Sequence, residues 1–171
     1  MGRTAALVCA GVLALGGATI SGAAVSPRIH RTCPKSGRHV ARTHDPAAAQ
    51  QLVAQGADSV LLCRYHGLNP MNRYGRLDYA RRVTKRATIA YLTRGLDALK
   101  PYMGPPRVVS CALGTDAKVV AYFQYGAARE WTVNFELLGC GWVRNGRIGR
   151  GPTRLTEYVG RLTHYPGGPD S

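Results

Sequence analysis

The residues of this chain that could do chemistry are five histidines and four of its five cysteines, Cys9 lying inside the N-terminal apolar run, and their spacing decides what that chemistry is. Cys33, Cys63, Cys111 and Cys140 could pair as disulfides, ligate a metal or supply a nucleophile. Cys63 and His66 have the C-x-x-H spacing of half a zinc site, with His39 and His44 near in sequence. A structural zinc site brings a second close ligand pair, whereas Cys111 and Cys140 are 29 positions apart. The spacing favours two disulfides; neither a metal nor a cofactor is expected.

Hydrolytic chemistry has little to draw on. With the cysteines paired, a triad would need a serine nucleophile, but no G-x-S-x-G occurs and Ser110 has no flanking signature. Of the nine acids, Asp116, Glu130 and Glu136 are scattered around one hairpin and read as surface charge beside arginine. His30, His39, His44 and His164 fall in polar or turn-like segments, where an idle exposed side chain is the usual state. The expectation is a non-enzymatic protein.

Binding has two candidate footings. Arg81, Arg82, Lys85 and Arg86 form one basic cluster, and Arg144, Arg147, Arg150 and Arg154 form another. On one face they could hold an anionic cell-wall polymer or nucleic acid. Against that, 19 of the 23 basic residues are Arg, spread along an Ala- and Gly-rich chain, as in a GC-rich genome. The aromatics do not interleave with them as a nucleic-acid stacking platform would, which disfavours nucleic acid. The second footing is the short loop Ala112, Leu113, Gly114, Thr115 and Asp116. It is tethered at Cys111 and therefore pre-ordered for binding another secreted protein.

Residues 1–24 have the layout of an export signal: Arg3, the apolar run Ala5 to Ile20, then small residues to Ala24. Export leads to an oxidising compartment, where disulfides persist. The alternative is a membrane anchor through an uncleaved N-terminal helix, but the run is short of the roughly 20 residues a span needs. Cleavage leaves a secreted chain with no membrane span. The net charge of +14 predicts a basic protein, and 45% hydrophobic residues suffice for a real core.

The elements follow from periodicity. Residues 25–58 read as an extended lead-in tied by Cys33, 59–165 as one domain, and 166–171 as a flexible tail. Ser59 to Tyr65 is a compact apolar run, expected as a buried strand. Tyr74 to Val83 reads as a loop and a short strand. Ala87, Tyr91, Leu92, Leu96 and Leu99 recur at helical spacing, predicting a helix over 85–99 capped by Thr84. Val119, Ala121, Phe123 and Tyr125 alternate, as do Trp131, Val133, Phe135 and Leu137, giving a hairpin turning at 126–129. Asn145-Gly146 predicts a type I′ turn. Thr153 can cap a last helix with the stripe Leu155, Tyr158, Val159 and Leu162. Cys111 and Cys140 then lie nearly opposite at the open end of the hairpin, leaving Cys33 to pair with Cys63.

Leu62-Cys63-Arg64-Tyr65 and Gly139-Cys140-Gly141-Trp142-Val143-Arg144-Asn145-Gly146 resemble marks of a group of small secreted proteins from high-GC actinobacteria. That resemblance implies export and bridges and assigns no catalytic residue. Cys111 to Asp116 more faintly resembles the loop of the Streptomyces subtilisin inhibitors, which implies protease inhibition through Leu113. The overall expectation is an α+β domain with an antiparallel sheet of four or five strands. One or two helices pack on one face, and two disulfides, Cys33–Cys63 and Cys111–Cys140, staple it. The expected function is an exported interaction module; protease inhibition or polyanion binding are the alternatives.

Overall fold

Two long strands carry apolar side chains on both faces, and that fixes the architecture. The computed structural model describes residues 30–37, 43–67, 73–99, 117–139, 141–151 and 153–165. Among these, β1 (Ser59–Tyr65) and β3 (Lys118–Tyr125) are buried at almost every position. They pair with each other, flanked by β2 (Leu77–Val83) and β4 (Arg129–Glu136), with the two-residue strands β5 (Val143–Arg144) and β6 (Gly149–Arg150) beyond. The result is a six-stranded antiparallel sheet in the order β2-β1-β3-β4-β5-β6. The extra strand relative to expectation comes from the short β5–β6 pair at the edge.

The hairpin register agrees with the alternation read from sequence. Val119 faces Phe135, Ala121 faces Val133 and Phe123 faces Trp131. Those side chains join Val60, Leu62 and Val83 in the main core. Two helices cover that face: α1 (Arg86–Asp97) and α2 (Leu155–Leu162). The stripe of α2 is the expected one, but Arg154 rather than Thr153 occupies the cap position, without a side-chain bond; Thr153, one residue earlier, accepts a hydrogen bond from the Leu155 N–H at 3.1 Å. In α1 the buried set is Ile89, Leu92, Thr93 and Leu96. Ala87 and Tyr91 lie outside it, and Tyr91 stays half exposed, meeting Tyr158 edge-on at 4.8 Å. Thr84 does not cap the helix; Lys85 occupies the cap position without a side-chain bond. Gly95 sits where a Cβ would lie 2.9 Å from Leu155, so a glycine inside α1 lets the two helices approach closely.

The segment ahead of β1 is more than an extended lead-in. A 3-10 turn, Pro46–Ala49, and the residues after it bury Ala48, Leu52, Val53 and Ala54 in the main core. Thr43 lies along the outer edge of β4, where its hydroxyl accepts from the Thr132 N–H at 2.9 Å. Asp45 anchors the turn: it accepts from the Ala47 N–H, from Arg129 at 2.8 Å and from the Trp131 indole at 3.1 Å. Burial raises its pKa, but these donors together outweigh that and hold it below 3.8.

Asn145 overturns the type I′ expectation. Gly146 alone takes positive φ, and the connection from Arg144 to Gly149 spans four residues. The Asn145 amide is fully buried and donates to the carbonyls of Ala48 and Gln51. Its Oδ1 accepts from the N–H groups of Arg147 and Ile148, both at 2.9 Å. Asn145 therefore joins the β5–β6 turn to the segment ahead of β1, a tertiary demand that local turn preference does not carry.

Two outcomes test this account. Asn145→Ala strands several buried backbone groups and is expected to cost about 3 kcal/mol in urea unfolding. Asp45→Asn is expected to cost about 1–2 kcal/mol at neutral pH. Because the folded carboxyl titrates below its unfolded value, its contribution is full above pH 3.8 and is lost as pH falls further. The gap between wild type and Asp45→Asn should therefore narrow between pH 6 and pH 2; an unchanged gap would exclude the ionised carboxylate as the anchor.

Candidate functional site

The second face of the sheet holds Leu61, Cys63, Tyr65, Val120 and Tyr122, and the strap of residues 30–37 covers it. A disulfide between Cys33 and Cys63 pins the strap, with a Cα–Cα distance of 5.6 Å. Tyr65 donates to the Pro34 carbonyl at 3.1 Å, and Leu77 N–H donates to the Lys35 carbonyl. Gly37 passes so near the Tyr65 ring that a Cβ would lie 2.6 Å from it. Burial pushes the Tyr65 hydroxyl up to about 12, against the opposing hydrogen bond from Tyr122. Tyr122 is raised further, by burial first and then by Tyr65 and Glu130.

Beside this apolar patch runs a polar row at the level of Ser59, Gln124 and Glu130, which are cross-strand partners on β1, β3 and β4. Ser59 and Arg82 both donate to Gln124 Oε1, at 2.9 and 2.6 Å. The Glu130 side chain is only 6% exposed. His30 lies on top of the row, its ring stacked on Tyr122 at 4.1 Å. Its backbone N–H donates to Glu130 at 2.7 Å and its Nδ1 meets the other carboxylate oxygen at 2.6 Å. The expectations of an idle His30 and a surface Glu130 are both corrected: parity places Glu130 inward, beneath the strap.

A second polar group stands at the β1–β2 end. A bulge displaces Asp78 from the ladder, so that it bridges Arg64 at 2.6 Å and His66 at 3.3 Å. Arg64 also donates to the Thr163 carbonyl at 2.6 Å, and Arg81 donates to the Leu162 carbonyl at 3.0 Å. The two guanidiniums thus satisfy the C-terminal carbonyls of α2, where the helix dipole is negative. Next to His66 a surface cavity of about 200 Å³ is lined by His66, Arg73, Arg76 and Leu77. Their backbones are bonded, Arg76 N–H to the Arg73 carbonyl and His66 N–H to the Arg76 carbonyl, but neither guanidinium has a hydrogen bond or ion pair with another described residue.

The two expected anion-binding clusters do not meet. Arg81 and Arg82 belong to edge strand β2, whereas Arg144 and Arg150 belong to β5 and β6 at the far edge. Arg82 is held by Gln124 and the Arg31 carbonyl. Arg150 is buried and donates to the carbonyls of Leu99 and Gln50. Arg144 lies 3.8 Å from Glu136. Lys85, Arg86, Arg147 and Arg154 are exposed, with Arg154 on the rim of a cavity beside Gly141 and Glu157. Cys111, Cys140 and the loop from Ala112 to Asp116 lie outside the described residues, as does the expected export signal. Among the described residues no group of three or more His, Cys, Asp or Glu could hold a metal, and no helix is long and apolar enough to cross a membrane.

Comparison with family models, curated proteins and solved structures finds no match to this chain. Arg73, Arg76 and Asp78 carried no sequence signal, because convergence at a bulge is not periodic. Replacing Cys33 and Cys63 by serine opens a loop with a separation of 30 residues. The expected cost is about 3.5 kcal/mol by chain entropy, read as a lower unfolding midpoint. Loss of the Tyr65 and Tyr122 near-ultraviolet signal should accompany it, and an unchanged signal would show that the strap stays down without the bridge.

Proposed function

We propose that this is an exported, disulfide-stapled binding module that holds an anionic group of its partner at the cavity beside His66. The partner chemistry is an anionic cell-wall polymer. One observation carries the reading: Arg73 and Arg76 line one cavity together and their guanidiniums have no partner among the described residues, whereas those of Arg64, Arg81, Arg82, Arg129 and Arg150 are occupied by carbonyl or carboxylate groups. A net charge of +14 supplies attraction at longer range. The Cys33–Cys63 bridge supports the exported half of the reading, since such bridges persist in oxidising compartments.

The test is salt-dependent retention of the oxidised chain on heparin, used as a model polyanion. Arg73→Ala/Arg76→Ala is expected to weaken binding roughly tenfold and to lower the salt slope by about two. Arg86→Ala/Arg147→Ala, which removes the same charge elsewhere, should have a clearly smaller effect. Equal losses in the two double variants would mean diffuse charge and no site.

A further inference from the structure

His30 occupies the polar row on the second sheet face as a ligand occupies a pocket, and the row's donors and acceptors specify what else could fit. Glu130 is a nearly buried carboxylate, which only accepts, and it receives two donors side by side, the His30 backbone N–H and Nδ1–H. Gln124 is oriented by Arg82 and Ser59, which both donate to its Oε1. Its Nε2 is thereby left as a donor and gives its hydrogen bond to the His30 carbonyl at 2.6 Å. Tyr122 supplies a flat surface, with the imidazole 24° from parallel. The site thus receives a stacked ring with one N–H donor, and beside it a second N–H donor and a carbonyl acceptor that here come from the His30 backbone.

The strap end is placed so that it can give way. Cys33 is fixed to Cys63, and residues 30–32 lie on the N-terminal side of that bridge. Besides the Tyr122 stack, their described attachments are the bonds to Glu130 and Gln124, and one from Arg82 to the Arg31 carbonyl. None of these joins the main core, so the strap end can lift without unfolding the sheet.

We propose that Tyr122, Glu130 and Gln124 form a recognition site for a guanine-type heterocycle, which His30 fills in the free protein. Guanine carries a ring N–H and an exocyclic N–H beside a carbonyl on one edge, matching Glu130 and Gln124 in turn, and its face stacks on Tyr122. Adenine and the pyrimidines lack that order of donors. A guanidinium has the two donors but no acceptor for Gln124. Arg82, released from the Arg31 carbonyl, adds a cation for a phosphate on the ligand.

The test uses the full oxidised chain and three probes: guanosine 5′-monophosphate, adenosine 5′-monophosphate and arginine amide. His30→Ala removes the stacked ring and its Nδ1–H donor, which bares the Tyr122 face and leaves only the residue-30 backbone to be displaced, and is expected to bind the guanine nucleotide at least tenfold more tightly than the adenine one. Adding Glu130→Gln should abolish that preference. In the unaltered protein, saturating guanine nucleotide should move the His30 ring signals in NMR away from their Tyr122-shielded positions, and the adenine nucleotide should not. Equal binding of the two nucleotides, a preference that survives Glu130→Gln, or stronger binding of arginine amide would each overturn the assignment. If His30→Ala does not fold, the NMR titration of the unaltered protein decides alone: unmoved His30 signals reject the site.

Discussion

The sheet has two apolar faces, and the rest of the structure follows from the need to cover both. An antiparallel sheet commonly leaves one face to water. Here β1 and β3 bury both faces, so a single layer of helices is not enough. The helices and the Pro46–Ala49 segment cover one side; the strap, bonded at Cys33, covers the other. The second layer is thin and has few apolar contacts of its own, which is why a covalent link holds it. Such a cover is also the part of the fold that can move at least cost.

Several of the described arginines are structural residues. Arg64 and Arg81 close the end of α2, Arg150 satisfies carbonyls of Gln50 and Leu99, and Arg129 fixes Asp45. A guanidinium suits these sites because it brings several donors on a planar fork and stays charged. Composition counts all such residues alike, so the high net charge overstates the charge free to meet a partner. What distinguishes Arg73 and Arg76 is position: the two line one cavity beside His66, with no carbonyl or carboxylate of the described residues on their guanidiniums.

Much of the fold was legible in the sequence. The Trp131 to Leu137 and Val119 to Tyr125 alternations gave the hairpin and its inward face, because a period of two has only one way to bury apolar side chains. The α2 stripe was legible from helical spacing, and the burial of Ser59 to Tyr65 from its unbroken apolar run. The α1 stripe was misplaced by part of a turn, since Tyr91 is amphipathic and its ring sits at the rim while Ile89 fills the core. The site was hardly legible. His30 and Glu130 are 100 residues apart, and only the strap's path brings them to 2.6 Å.

What the sequence by itself determined is the local grammar: the strands of the hairpin, two helices, and a cysteine placed where it could join the lead-in to the first strand. These rest on side-chain periodicity and on short-range backbone preference, both of which are properties of neighbours in the chain. Tertiary structure alone decided which polar groups converge. Asn145 serves a segment almost a hundred residues away, Asp78 is turned by a bulge, and the strap brings His30 onto Glu130. Each of these depends on which distant surface a buried polar atom meets, and the free-energy cost of leaving it unpaired selects the fold in which it meets one.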